Sequence, residues 1–138
     1  MNIDALKAQL FQHVGFRPCA YQDSLGIWTI GVGRNIDHRG GGISKEEALV
    51  LLDHDIARVT EELDRALPWW QHMTDARQQV LANLCFNIGL GTLLTFHNTL
   101  AAMQNGNYEA AAAEMLRSKW AKQVGKRAEE LADMMRKG

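Results

Sequence analysis

Only two cysteines, Cys19 and Cys85, occur in 138 residues, too few for a disulfide framework. Cys85 lies in an apolar helical run and reads as a small packed hydrophobe. No run approaches the ~20 apolar residues of a membrane span. Met1 to Lys7 lacks the apolar stretch of a secretory leader. Membrane insertion and a signal peptide are therefore not expected. An excess of one charge is also missing. The formal net charge is −1, which gives nucleic acid no global attraction. His38, His54, His72 and His97 show no metal-ligand spacing. Asp53-His54-Asp55 would not converge if helical, because consecutive helical side chains point apart. There is no G-x-S-x-G, Walker or dinucleotide motif and no internal repeat.

Hydrophobic residues make up 46% of the chain, enough in this length for one domain with a real core. The most informative stretch runs from Val14 to Gly33. Gly15 can take the left-handed conformation that ends a helix. Asp23-Ser24-Leu25-Gly26 has turn chemistry. Ile27, Trp28, Thr29, Ile30 and Val32 favour a strand, interrupted by Gly31 and Gly33 where backbone or ligand can approach closely. Asp23 at the turn mouth and Thr29 on the return strand are placed to face one pocket. Residue pattern alone fits an ordinary structural hairpin.

Around the hairpin the chain reads as helix. Ile3, Leu6, Leu10 and Phe11 recur at helical spacing up to about His13. Arg34 to Gly42 reads as a loop. Ser44-x-x-Glu47 is a capping box opening a long helix with the stripe Ala48, Leu52, Ile56, Val59 and Leu63. Pro68 ends that segment or starts the next. Thr74 caps a helix to about Ile88, stopped by Gly89 and Gly91. Val80, Leu81, Leu84, Cys85 and Ile88 make it apolar on much of its surface, so it should be buried. Shorter helices are predicted near Thr92–Leu94, Asn98–Gln104, Tyr108–Leu116 (capped by Asn107) and Lys126–Met135. Ala110 to Ala113 reads simply as strong helix former. Arg117, Lys119, Lys122, Lys126, Arg127, Arg136 and Lys137 interleave with Glu114, Glu129, Glu130 and Asp133, a solvated mixed-charge face. A mostly helical chain with one small sheet is α+β.

The run Tyr21-x-Asp23-x-x-Gly26-x-x-Thr29-x-Gly31-x-Gly33 resembles the phage lysozymes, glycoside hydrolases of the T-even phage type. The likeness continues through Ile43 to Ala48, Leu84 to Gly89, Phe96 to Leu100, Arg117 to Trp120 and Lys126 to Ala128. It implies a two-lobed fold within a single domain, 1–138. The hairpin lobe would cover about 15–43 and a long interlobe helix about 44–66. The helical lobe would take in about 1–13 and 69–138, with a sugar cleft between the lobes. It also implies cleavage of the β-1,4 bond between N-acetylmuramic acid and N-acetylglucosamine in peptidoglycan. No cofactor and no metal is implied. The protein would be a monomer held in the host cytoplasm, reaching the wall through a separate pore-forming holin. The family's last short helix has no counterpart after Gly138.

By resemblance, Asp23 is the second catalytic carboxylate and Thr29 helps place water. The family's general acid, a Glu, falls on the residue before Gly15, which here is Val14. Glycoside hydrolysis needs a proton delivered to the leaving oxygen, and valine has none to give. His13 is titratable but reads better as a solvated helix-end residue. Phe86, Asn87, Thr99 and Arg127 match substrate-binding positions. Of these, Phe86 also reads readily as core, and Asn87 suits hydrogen bonding to a sugar amide. Arg127 corresponds to the arginine that would pair with the absent acid. Trp28, Tyr21 and Trp120 suit packing as well as cleft lining. Arg34 and Asp55 are expected to form an ion pair. Three readings follow: an inactivated endolysin, a natural non-catalytic wall- or protein-binding relative, or a helical interaction module with an incidental hairpin.

Overall fold

A computed structural model describes all residues, Met1–Gly138. The elements run α1 Ile3–Val14, β1 Arg17–Gln22, β2 Trp28–Gly31, β3 Arg34–Asn35, α2 Lys45–Ala66, a 3₁₀ turn Pro68–His72, α3 Asp75–Leu93, α4 His97–Gln104, α5 Tyr108–Arg117, α6 Lys119–Val124 and α7 Lys126–Lys137. The α+β reading is what the structure has: seven α-helices and one small antiparallel sheet. By backbone contacts the chain divides into Met1–Leu51 and Leu52–Gly138. α1 falls in the first of these units, whereas the family resemblance groups it with the C-terminal helices.

In the first unit, α1 begins where the Asn2 side chain accepts from the Ala5 amide. It ends at Gly15, whose φ of 86° lets its amide reach back to Phe11 O. The sheet order is β1-β2-β3. Tyr21 faces Thr29 and Gln22 faces Trp28, and a bulge separates these pairs from Arg17 opposite Gly31. β3 was not foreseen. At two residues it is too short to leave an alternation in the sequence, yet it pairs Thr29 with Asn35 and Ile30 with Arg34. Gly33, at φ 74°, turns the chain between β2 and β3. A methyl group there would come within 2.9 Å of Val14 Cγ1. The last residue of α1 thus lies against this glycine turn.

The capping box forms as the spacing requires. Glu47 N–H donates to Ser44 Oγ, and Ser44 N–H donates to Glu47 Oε1, both at 3.0 Å. Arg34 joins it, through Nη1 to Glu47 Oε1 at 2.9 Å and Nη2 to Oε2 at 2.7 Å. The expected Arg34–Asp55 pair is therefore absent, and Asp55 instead takes Arg58 one helical turn on, at 2.9 Å. The cap brings Glu47 beside Arg34, while Arg58 lies next to Asp55 on the same helix. The Arg34 hydrogen bond, then the Ser44 amide, holds the Glu47 carboxyl down at about 2, from an ordinary 4.5.

The second unit is built on α3. Val80, Leu81, Leu84 and Leu93 are fully buried and Cys85 nearly so, with Leu63, Met103, Ala111, Ala112, Met115 and Met135 packed among them. α5 packs on α7, α4 and α6, and α3 packs on α7. Gly89 (φ 80°, ψ 156°) breaks α3 as expected, but helical pairing resumes to Leu93 instead of opening a separate helix. Burial and the neighbouring Glu62 carboxylate push the Cys85 thiol up to about 11, an inert, packed sulfur. α6 was not foreseen; Ser118 caps it by accepting from the Ala121 amide. Arg77 closes the unit. Its Nε donates to Met135 O and its Nη2 to Arg136 O, and its guanidinium lies 3.6 Å above the Tyr108 ring.

Two outcomes test this description. Glu47 has a lower pKa folded than unfolded. Its contribution is therefore complete above its ordinary value of 4.5 and is lost as pH falls through about 2. Glu47→Gln should remove that part of the acid dependence of stability, and Ser44→Ala should cost about 1 kcal/mol at neutral pH; chemical denaturation across the window measures both. Gly26→Ala and Gly33→Ala should each cost about 1–2 kcal/mol for the left-handed backbone. Only the second meets Val14, so it should cost more, and adding Val14→Ala should erase the difference. Equal costs for the two glycines would contradict the contact.

Candidate functional site

The hairpin turn is organised by Asp23. Its Oδ1 accepts from the Leu25 amide at 2.8 Å and the Ile27 amide at 2.9 Å. Its backbone closes the turn through Asp23 N–H to Ile27 O and Gly26 N–H to Asp23 O, both 2.9 Å. One carboxylate oxygen is therefore anchored, while Oδ2 makes no hydrogen bond and remains open to water or a ligand. Two backbone donors on one oxygen fix the carboxylate plane. Thr29 is 5% exposed and donates its hydroxyl to Ile27 O at 2.9 Å, which leaves its oxygen able to accept. Asp23 and Thr29 are thus tied to the same residue, Ile27. Val14 reaches the hairpin at Gly33. The three positions assigned to catalysis all lie in the first unit. Tyr21 carries the Arg17 guanidinium 4.3 Å above its ring, and Trp28 is half exposed.

In the second unit, Phe86, Asn87 and Arg127 come together in a cavity of about 470 Å³, alongside Leu52, Ile56 and Asn83. Phe86 is 44% exposed, so its reading as plain core is corrected. The reason is helical phase. Gln79, Ala82, Asn83, Phe86 and Asn87 share one face of α3, while Val80, Leu81, Leu84 and Cys85 turn into the core. Asn83 is a residue the sequence reading missed. Asn87 Nδ2 donates to Asn83 Oδ1 at 2.7 Å and to Asn83 O at 2.9 Å. Two asparagines four apart in the otherwise apolar stretch from Val80 to Ile88 were the available signal. Their pairing leaves one free donor, Asn83 Nδ2, and one free acceptor, Asn87 Oδ1, the complement of an amide. Arg127 forms no ion pair, unlike Arg117 and Arg136 on the same stretch of chain.

Thr99 does not join this group. It is buried beside a separate hollow at the start of α4. Trp120 is buried packing rather than a flank, and its Nε1 has no hydrogen-bond partner. No group of three or more His, Cys, Asp or Glu side chains is gathered to hold a metal ion.

This arrangement has counterparts. The phage lysozyme family model matches residues 12–137. The chain is similar to the endolysin of Acyrthosiphon pisum secondary endosymbiont phage 1, 36% identical over 119 residues, covering 84% of this chain and 78% of that protein. It is also similar to the pre-baseplate central spike protein Gp5 of Enterobacteria phage T4, 34% identical over 100 residues, or 70% of this chain but only 17% of the spike protein's length. The probable T4-type lysozyme 1 of Dictyostelium discoideum is 23% identical over 163 residues, spanning 99% of this chain and 96% of that protein. A match that takes in the hairpin, the capped long helix and the buried α3 alike places the chain in the phage lysozyme family.

Proposed function

We propose that this chain engages bacterial peptidoglycan as an endolysin. Its reaction would be hydrolysis of the β-1,4 bond between N-acetylmuramic acid and N-acetylglucosamine, and its turnover is strongly impaired because Val14 stands where the general acid belongs. Family membership carries the glycoside-hydrolase class. The observation that carries the impairment is Val14 against Gly33: the α1 terminus brings an aliphatic group, not an acid, to the glycine turn.

In this reading Asp23 keeps its role. Its unbonded Oδ2 would activate water or stabilise the oxocarbenium-like centre, while the Thr29 oxygen accepts a hydrogen bond from that water. The missing step is protonation of the departing sugar. General acid catalysis typically contributes roughly a hundred- to ten-thousand-fold, so its loss leaves little turnover while binding persists. The amide-complementary Asn83–Asn87 pair, with Phe86 and the unpaired Arg127, would contribute to that binding. The other residues of the hairpin motif are present, which favours one substitution over long decay. The protein would act as a monomer, stored in the host cytoplasm until a holin opens the way to the wall. Val14 equally favours a second reading, a natural wall-binding relative that never cuts.

Val14→Glu should raise muropeptide release from purified cell walls by at least about a hundredfold, and adding Asp23→Asn should abolish the gain. Its melting temperature should fall or stay the same, since functional carboxylates commonly cost stability. A folded Val14→Glu chain that holds walls without cutting them would select the second reading. A chain that ignores walls in pull-down would defeat both.

A further inference from the structure

We infer that Lys119, Lys122 and Lys126 form a docking surface for a phosphodiester-linked polyol chain, the kind of anionic polymer that many bacterial walls carry beside their peptidoglycan. This goes beyond the peptidoglycan reading above, which uses other residues. The starting observation is charge segregation. From Met115 to Ala128 the chain holds Arg117, Lys119, Lys122, Lys126 and Arg127 and no carboxylate, although the whole chain has a net charge of −1.

Two of these cations are accounted for. Glu114 answers Arg117 at 3.0 Å, and Arg127 belongs to the cavity with Phe86. The three lysines remain, all exposed and none in an ion pair. Lys119 and Lys122 lie one turn apart on α6 and so share a face. Lys122 and Lys126 line one hollow of about 310 Å³, together with Leu116, Ala121, Ala128 and Glu129. The lysines are therefore contiguous across two helices. Their placement also works against local preference. Lys126 stands with Arg127 in the first turn of α7, where the positive end of a helix disfavours a cation. Proteins keep such departures chiefly at functional sites. The surroundings select the polyanion. The stretch has one aromatic residue, Trp120, which is 4% exposed, so no ring is offered for stacking on nucleic-acid bases. α6 exposes Lys119, Lys122 and Gln123 and buries Trp120 and Ala121, which leaves it no apolar face to enter a membrane. What remains is a row of ammonium groups, compact point charges that suit spaced phosphates. Glu129 makes no ion pair with either lysine of the hollow and tempers their charge.

The full chain should be titrated calorimetrically with poly(glycerol phosphate) freed of its alanyl esters. Binding should saturate and fall steeply as salt rises. Lys122→Gln combined with Lys126→Gln should weaken it at least about tenfold, at roughly fivefold for each lysine near an anionic surface, without lowering the melting temperature. Lys7→Gln combined with Lys45→Gln removes the same charge from exposed lysines of the first unit and should change affinity less than threefold, or about half a kcal/mol. Glu129→Gln should tighten binding. No binding overturns the inference, and so do equal losses in the two double variants, which would mean attraction by net charge alone. Tighter binding to single-stranded polyuridylate or to vesicles of anionic phospholipid overturns the choice of partner. Walls stripped of their phosphate polymers separate this surface from the earlier reading. If stripped walls are held and the polymer is not, the peptidoglycan reading stands and this surface falls. If the polymer is held and stripped walls are not, the surface stands and the peptidoglycan reading falls.

Discussion

Helix α3 presents apolar side chains on most of its circumference, and the second unit is the packing solution that this forces. Val80, Leu81, Leu84, Cys85 and Leu93 cannot be hidden by a single neighbour. α7 lies directly on α3, and α5 in turn packs on α4, α6 and α7. Ala111 and Ala112 have no measurable exposure, and their small size permits close backbone approach at the centre of that arrangement. Met103, Met115 and Met135 fill the irregular space that remains, as flexible thioethers do. The face carrying Asn83, Phe86 and Asn87 is what α3 has left once the core has taken its share. Core and candidate binding surface are therefore two sides of one cylinder.

The first unit is held differently. Three short strands bury little, and of the residues in that unit only Thr29 is buried. Directional bonds take over: Asp23 knots the turn, and Ser44, Glu47 and Arg34 knot the start of α2. The carboxylate read as catalytic is thus also the turn's own cap. Chemistry and local folding share one side chain, and that sharing fixes the carboxylate's position while leaving one of its oxygens free.

What could be read in the sequence was local. The Gly15 stop, the Asp23 turn, the Ser44–Glu47 box, the Thr74 and Asn107 caps and the Gly89 break each involve residues within four positions of one another. Apolar phase alone marked α3 as core. What escaped depended on partners distant in sequence or on weak signals. Arg34 found Glu47 instead of Asp55 because the cap had already fixed that carboxylate nearby. The tetra-alanine run read as mere propensity, yet two of its members sit at the centre of the helical packing. β3 and α6 were too short to show a period. Phe86 was ambiguous because its face could be settled only after its neighbours had chosen theirs.

Arg77 has a consequence for motion. A helix's last turn ordinarily frays, because its final carbonyls lack partners. Here two of those carbonyls, at Met135 and Arg136, are held by a guanidinium from α3 that also rests on Tyr108 of α5. Opening the end of α7 therefore means parting these bonds to α3 together with the Arg136–Glu109 ion pair to α5 at 2.7 Å. The tail of the chain should unravel together with the body of the unit rather than ahead of it.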